Sequence, residues 1–270
     1  MSNCDNIILK GFVQKPFKLS KLFFHIGNSK MDMPTDIQHQ QMGYDRTATM
    51  FTPEGHLLQV EYAEKTVRLG SSSIGMVCSD GVFILADKRI DDELIVPSSA
   101  QKIYEIDSHL ISSVAGIMSD ARVLINKAQV LAQQNRMTYD SAIEPELIIK
   151  EISDLKQQFT QYGGARPFGV ALMVAGIQNG KPRLYSSDIT GNYFEYFANA
   201  IGETDSKVKD ELRKKYKKTL DVKQGIKLAV EILKEVQEDK FDIERFEVAY
   251  LENKKEGITR IDGKAIEGFK

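Results

Sequence analysis

The side chains of this chain that could bind a metal or attack a carbonyl are few and scattered. Two cysteines, Cys4 and Cys78, form no C-x-x-C pair, and the four histidines, His25, His39, His56 and His109, stand singly. A structural or catalytic metal needs three or four such ligands at short spacing, so a metal site is not expected, and two cysteines make no disulfide framework. No phosphate-binding Walker loop, dinucleotide fingerprint, G-x-S-x-G elbow or H-E-x-x-H helix occurs. The acid cluster Asp91-Asp92-Glu93 and the run Lys214-Lys215-Tyr216-Lys217-Lys218 read as solvated surface, since isolated charge runs rarely do chemistry. Gly163-Gly164 lacks the strand and helix context of a phosphate cradle and reads as a helix cap. Motifs alone therefore define no catalytic machine and imply no cofactor.

Whatever chemistry the chain does must be positioned by a substantial fold. Its 270 residues, 42% hydrophobic and 27% charged, can bury a real core. Length divided by ~150 residues per domain gives about 1.8, between one large domain and two small ones. The net charge of −2 argues against a dedicated nucleic-acid binder. That figure averages two dissimilar pieces. Residues 1–30 hold five lysines and one acid, a charge of +4, which leaves −6 on the remaining 240 residues. The longest apolar run of this leader, Leu22-Phe23-Phe24, is too short for a membrane span or a signal-peptide core. The expectation is a protein of the cytoplasm with no membrane segment.

Ordered patterning begins near Met42. Thr52-Pro53 reads as a helix start, Val60, Ala63 and Val67 as its apolar stripe, and Gly70 as its end. Apolar runs at 73–78 and 82–86 flank Asp80-Gly81, a hairpin signal, and a second pair, 102–106 and 110–115, turns at Asp107-Ser108. Two helices follow, one entered through Ser119-Asp120 and marked by Leu124, Ala128 and Leu131, the other marked by Ile148, Ile152, Leu155 and Phe159. Strands at 168–175 and 182–186 join through Asn179-Gly180, and 193–197 pairs next. Helices carrying Val208, Leu212 and Tyr216, then Val222, Ile226, Ala229 and Leu233, precede a final strand pair at 245–251 and 257–260. Strands in hairpins and helices in pairs favour antiparallel sheets covered by helices, an α+β fold of one domain.

Several stretches in this order resemble the proteasome alpha subunits. They are Tyr44-Asp45-Arg46, Phe51-Thr-Pro-Glu-Gly55, Gln59-Val-Glu-Tyr-Ala63 and Gly70-Ser-Ser-Ser-Ile-Gly75, then Ala86-Asp-Lys-Arg89, Gln101-Lys-Ile103, Ser119-Asp-Ala-Arg122 and Gln161-Tyr-Gly-Gly-Ala-Arg-Pro-Phe-Gly169. The likeness covers residues 42–262, and its wording is closer to archaeal members than to any one specialised eukaryotic subunit. It implies the four-layer αββα sandwich of N-terminal nucleophile hydrolases with an extra N-terminal helix. It also implies a non-catalytic subunit of the 20S core. Seven copies would form a homo-heptameric ring that gates substrate passage, stacks on proteolytic beta subunits, docks the C-terminal tails of a regulatory ATPase and passes unfolded proteins.

The resemblance also raises a catalytic alternative. Gly70-Ser71 lies where active beta subunits are cleaved to free a nucleophile, and Asp87 and Lys102 resemble the supporting acid and lysine. A hydroxyl, an acid and a lysine suit a self-processed N-terminal nucleophile peptidase. That chemistry needs a free α-amine as base, whereas Ser71 follows a capped amphipathic helix, and without cleavage its nitrogen is an amide. The inactive ring subunit is the expected reading, and a ring that sequesters partners without any protease is a further alternative. By resemblance, Tyr44, Asp45, Pro53 and Tyr62 form the gating cluster, although the same four could simply cap and pack the first helix. Lys102, Gly116 and Ile117 resemble the regulator-docking pocket: the lysine for a tail carboxylate, the glycine for close approach and the isoleucine for an apolar contact.

Residues 1–41 are expected as an N-terminal extension, disordered or partly a start-site artefact with translation beginning at Met31 or Met33. Residues 42–262 are expected as the alpha-type domain and 263–270 as a C-terminal tail. A genuine leader would place about +28 of charge, +4 from each of seven copies, at a narrow pore mouth.

Overall fold

A computed structural model of the chain describes residues 43, 46, 47, 49–90, 92, 94–96 and 99–269. The N-terminal extension and the gating candidates Tyr44 and Asp45 lie outside the described residues. Helix α1 (Leu58–Leu69) leads into the hairpin β1 (Ser73–Val77) and β2 (Gly81–Asp87), then β3 (Ile103–Asp107) and β4 (Leu110–Gly116). Helices α2 (Met118–Tyr139) and α3 (Pro145–Phe159) come next, then β5 (Val170–Gln178), β6 (Lys181–Ser187), β7 (Tyr193–Glu195) and β8 (Ala198–Ile201). Helices α4 (Asp205–Lys215) and α5 (Val222–Gln237) precede β9 (Phe246–Glu252) and β10 (Lys255–Asp262).

The strands form two five-stranded antiparallel sheets, ordered β10-β9-β2-β1-β8 and β3-β4-β5-β6-β7. Three apolar clusters define the layers. Ile74, Met76, Phe83 and Leu85 meet Val208, Ile226, Ala229 and Leu233 of α4 and α5 on the outer face of the first sheet. Leu110, Val114, Leu172 and Val174 meet Leu124, Ala128, Ile148 and Ile152 of α2 and α3 on the outer face of the second. Between the sheets, Val82, Ile84 and Ala86 interleave with Ile111, Ala115, Met173 and Leu184. Neighbours along β2 and β4 thus alternate between two cores, as a period of two requires, and neither face is polar because both are covered. The result is the αββα sandwich expected from the resemblance, with α1 lying across β4 and β5 as the additional helix.

Several boundaries differ from the sequence reading. Helix α1 starts at Leu58, not at Pro53. The Thr52 hydroxyl accepts from the His56 N–H at 3.2 Å instead of capping a helix, and Gly55, at φ +88°, turns the chain before the helix can begin. Asp80 and Gly81 are not the two central residues of the first hairpin turn. The Cys78 N–H donates to the Gly81 carbonyl at 2.7 Å, which puts Ser79-Asp80 at the tip. The second hairpin turns at Ser108-His109, one residue later than expected, because a register shift falls between Glu105 and Asp107. Helix α3 closes at Thr160, whose N–H bonds to the Gln157 carbonyl, so Gly163-Gly164 is a following turn and not the cap. Residues 263–269 form a 3-10 helix that buries Ile266 in the α4–α5 core.

Candidate functional site

The start of β1, the end of β2 and the start of β3 converge on a cleft of 620 Å³ whose lining includes Ser71, Lys88, Arg89, Lys102, Gly116 and Arg122. Lys102 stands at its floor and is only 4% exposed. Its ammonium donates to the Ser71 carbonyl and, at 2.5 Å, to the Ser71 hydroxyl. That hydroxyl in turn donates to the Asp87 carbonyl at 2.7 Å. Burial draws the Lys102 ammonium down to about 7, opposed by Asp87, helped by the Arg89 cation and opposed again by Glu247.

The Asp87 carboxylate is fully buried and already occupied. Arg245 grips it through two nitrogens, at 3.2 and 2.5 Å, and the Arg89 backbone N–H donates to it at 3.1 Å. Glu247, on β9, accepts the backbone N–H groups of Lys102 and Ile103, each at 2.7 Å, and fixes the chain where it enters β3. Burial raises the Glu247 carboxyl above its usual range, partly offset by these two bonds. The three residues suggested for nucleophilic catalysis are therefore brought together by the fold. Their contacts, however, are those of a closed network: the hydroxyl proton points at a backbone carbonyl, and the acid is held by arginine.

Of the docking candidates, Lys102 and Gly116 line this cleft, and Ile117 is not among its lining residues. Gly116 lines the same cleft, with φ +120° and a backbone so close to β5 that an added Cβ would lie 2.1 Å from the Gly169 carbonyl oxygen. Ile117 follows at the start of α2, half-buried, with its backbone N–H on that same carbonyl at 2.9 Å and its side chain turned toward Gly169. Of the gating candidates, Pro53 stands exposed in the turn before α1, and Tyr62 is half-buried on α1 with the Lys65 ammonium 5.1 Å from its ring centroid.

Sequence reasoning missed the partners that hold this end of the sandwich together. Arg245 and Glu247 come from the far end of the chain, and no local pattern links them to Asp87 and Lys102. Asp120 was expected to lead the chain into α2, but Ile117 is the residue flanking that helix. Its carboxylate instead takes Arg166 in two bonds of 2.6 and 2.7 Å and the Gly169 N–H at 3.0 Å. The Arg166 interaction is the main cause holding the Asp120 carboxyl below its ordinary range. Both partners sit in stretches singled out above, so the signal was present as residues without a role.

Comparison with known proteins gives a consistent answer. Residues 67–251 match the family model for the proteasome subunit, and residues 44–65 match the model for the N-terminal signature of A-type proteasome subunits. The chain is 40% identical over 229 residues to the proteasome alpha subunit of Methanosarcina mazei, covering 85% of this chain and 92% of that protein. It is 43% identical over 211 residues to that of Methanosarcina thermophila, covering 78% and 85%. The counterpart from Methanococcus vannielii is 45% identical over 197 residues, covering 73% and 76%.

Proposed function

This chain belongs to the proteasome alpha-subunit family, and from that premise we propose that it is a non-catalytic ring subunit of a 20S core in the cytoplasm. Seven copies form a ring that sits on proteolytic beta subunits, controls the passage of unfolded proteins and docks the C-terminal tails of a regulatory ATPase. The observation that carries the non-catalytic reading is the environment of Ser71. In the intact chain its nitrogen is an amide, its carbonyl and hydroxyl both accept from Lys102, and α1 precedes it with Leu58 and Val60 buried. Releasing Ser71 as a nucleophile would detach that helix and break the network. Intact mass measurement of the protein purified with a beta subunit tests this: a chain retaining residues before Ser71 is expected, and one beginning at Ser71 would restore the peptidase reading.

Within that ring, Tyr44, Asp45, Pro53 and Tyr62 hold the N-terminal segment in its open arrangement. Tyrosine and aspartate can hydrogen-bond across neighbouring copies, and proline stiffens the turn before α1. The cleft at Lys102 and Gly116, with Ile117 next in the chain, receives the regulator's tail. Its support is chemical: a basic cavity whose wall, at Gly116, admits no side chain. Lys102→Ala is expected to weaken activator binding by about tenfold while rings still form, the loss of one charged hydrogen bond. Equal affinity of mutant and wild type rejects the assignment.

A further inference from the structure

Four cations line the Lys102 cleft, and they differ in what they already hold. Lys88 lies 3.5 Å from Asp262 and 3.8 Å from Glu247, and Arg89 pairs with Glu203 at 2.5 Å. Lys102 is spent on Ser71. Among the described residues, Arg122 is the only one of the four without a carboxylate or hydrogen-bond partner, and it is exposed. It stands five residues into α2, beyond the first turn. The cleft is not uniformly polar: Leu69 and Met118, 79% and 46% exposed, line it beside Tyr104.

We infer that Arg122 is the residue that captures the free carboxylate of a docking peptide at the mouth of this cleft, ahead of Lys102 at its floor. This rests on the docking function proposed above and adds a residue to it. The ligand chemistry follows from the lining. A terminal carboxylate matches a guanidinium that can bind it in two parallel bonds, and the last apolar or aromatic side chains of the peptide cover Leu69, Met118 and Tyr104. The division of labour follows from burial. An exposed guanidinium attracts an anion over distance and governs the rate of arrival, which salt suppresses. Lys102 reaches a carboxylate only after giving up Ser71, so it governs how long the peptide stays.

The test uses assembled particles of the full chain with its beta subunit, and a short fluorescent peptide ending in leucine, made with a free α-carboxylate and as the C-terminal amide. Wild type is expected to prefer the acid by about tenfold, the scale of one charged hydrogen bond. Arg122→Ala should abolish most of that preference together with the salt dependence of the association rate. Arg122→Lys, which keeps the charge without the fork, should restore the salt dependence and only part of the preference. Should Arg122→Ala keep both the preference and the salt dependence while Lys102→Ala loses the preference, the role of Arg122 is overturned and the docking function stands. Wild-type particles that bind neither peptide, or both equally, overturn the capture of a carboxylate here altogether.

Discussion

Two buried lysines give this protein a pH signature that belongs to single residues. Lys156 is fully buried and donates to the Ser187 hydroxyl at 2.8 Å and the Asp188 carbonyl at 3.1 Å. Burial brings its ammonium down to about 7, with Asp188 pulling the other way, and Lys102 sits at about the same value. Both would titrate at 10.5 in the unfolded chain, so between pH 7 and 10.5 the unfolded state binds protons that the folded state has released. Stability therefore rises with pH through that window, by at most on the order of 1 kcal/mol per pH unit for each group. The useful range ends near pH 9. There the thiol of Cys78, buried and pushed up to about 12, begins to titrate in the unfolded chain and destabilises the fold with the opposite sign. Lys156→Met removes one of the two contributions without leaving a buried charge. Between about pH 7 and 8.5 the wild-type melting temperature is expected to gain on that of the variant. Parallel curves would show that Lys156 keeps an ordinary affinity for protons.

At the scale of elements, the Gly169 junction ties three pieces of the fold together. Its N–H donates to Asp120 of α2, and its carbonyl accepts from Ile117 at 2.9 Å and from the Thr66 hydroxyl of α1 at 3.3 Å. Asp120→Ala leaves the buried Gly169 N–H without an acceptor, at a cost of about 2 kcal/mol. Arg166→Ala removes only the outer partner, which is largely in water, and should cost about 1 kcal/mol or less. Denaturant unfolding of the two variants checks the order, and a larger loss for Arg166→Ala would contradict it. Gly116→Ala is the harsher change, because it places a methyl against the Gly169 carbonyl at a φ that only glycine holds easily. About 3 kcal/mol is expected, read by the same unfolding experiment. What could be read in advance follows a physical line. Asn179-Gly180 announced its hairpin because both residues must adopt positive φ, at 51° and 72°, a local demand met by local chemistry. The amphipathic helices and hairpin order were legible for the same reason. Arg245 and Glu247 were not, because they meet Asp87 and Lys102 only after the sheet has paired β9 with β2. The start of α1 was misplaced because Thr52-Pro53 also suits a tight turn, and the choice is made by Gly55 and His56.

At the scale of the whole molecule, the sandwich places a hydroxyl, an acid and a lysine side by side, and the proposed ring subunit uses them as structure and not for hydrolysis. Ser71, Asp87 and Lys102 lie at one end of two stacked sheets, where the paths of β1, β2 and β3 force their proximity. What separates a catalyst from a scaffold there is whether the chain is cut before Ser71. With α1 retained, the serine is an interior link of the chain. A protomer closing a ring by one repeated head-to-tail contact must present two different, complementary faces, which a single copy leaves exposed. The most direct measurement is native mass spectrometry of the full chain co-expressed with a proteasome beta subunit. The expected result is a particle containing seven copies of this chain per ring, each retaining the residues before Ser71. A monomer that never joins beta subunits, or a chain cut between Gly70 and Ser71, would contradict the account.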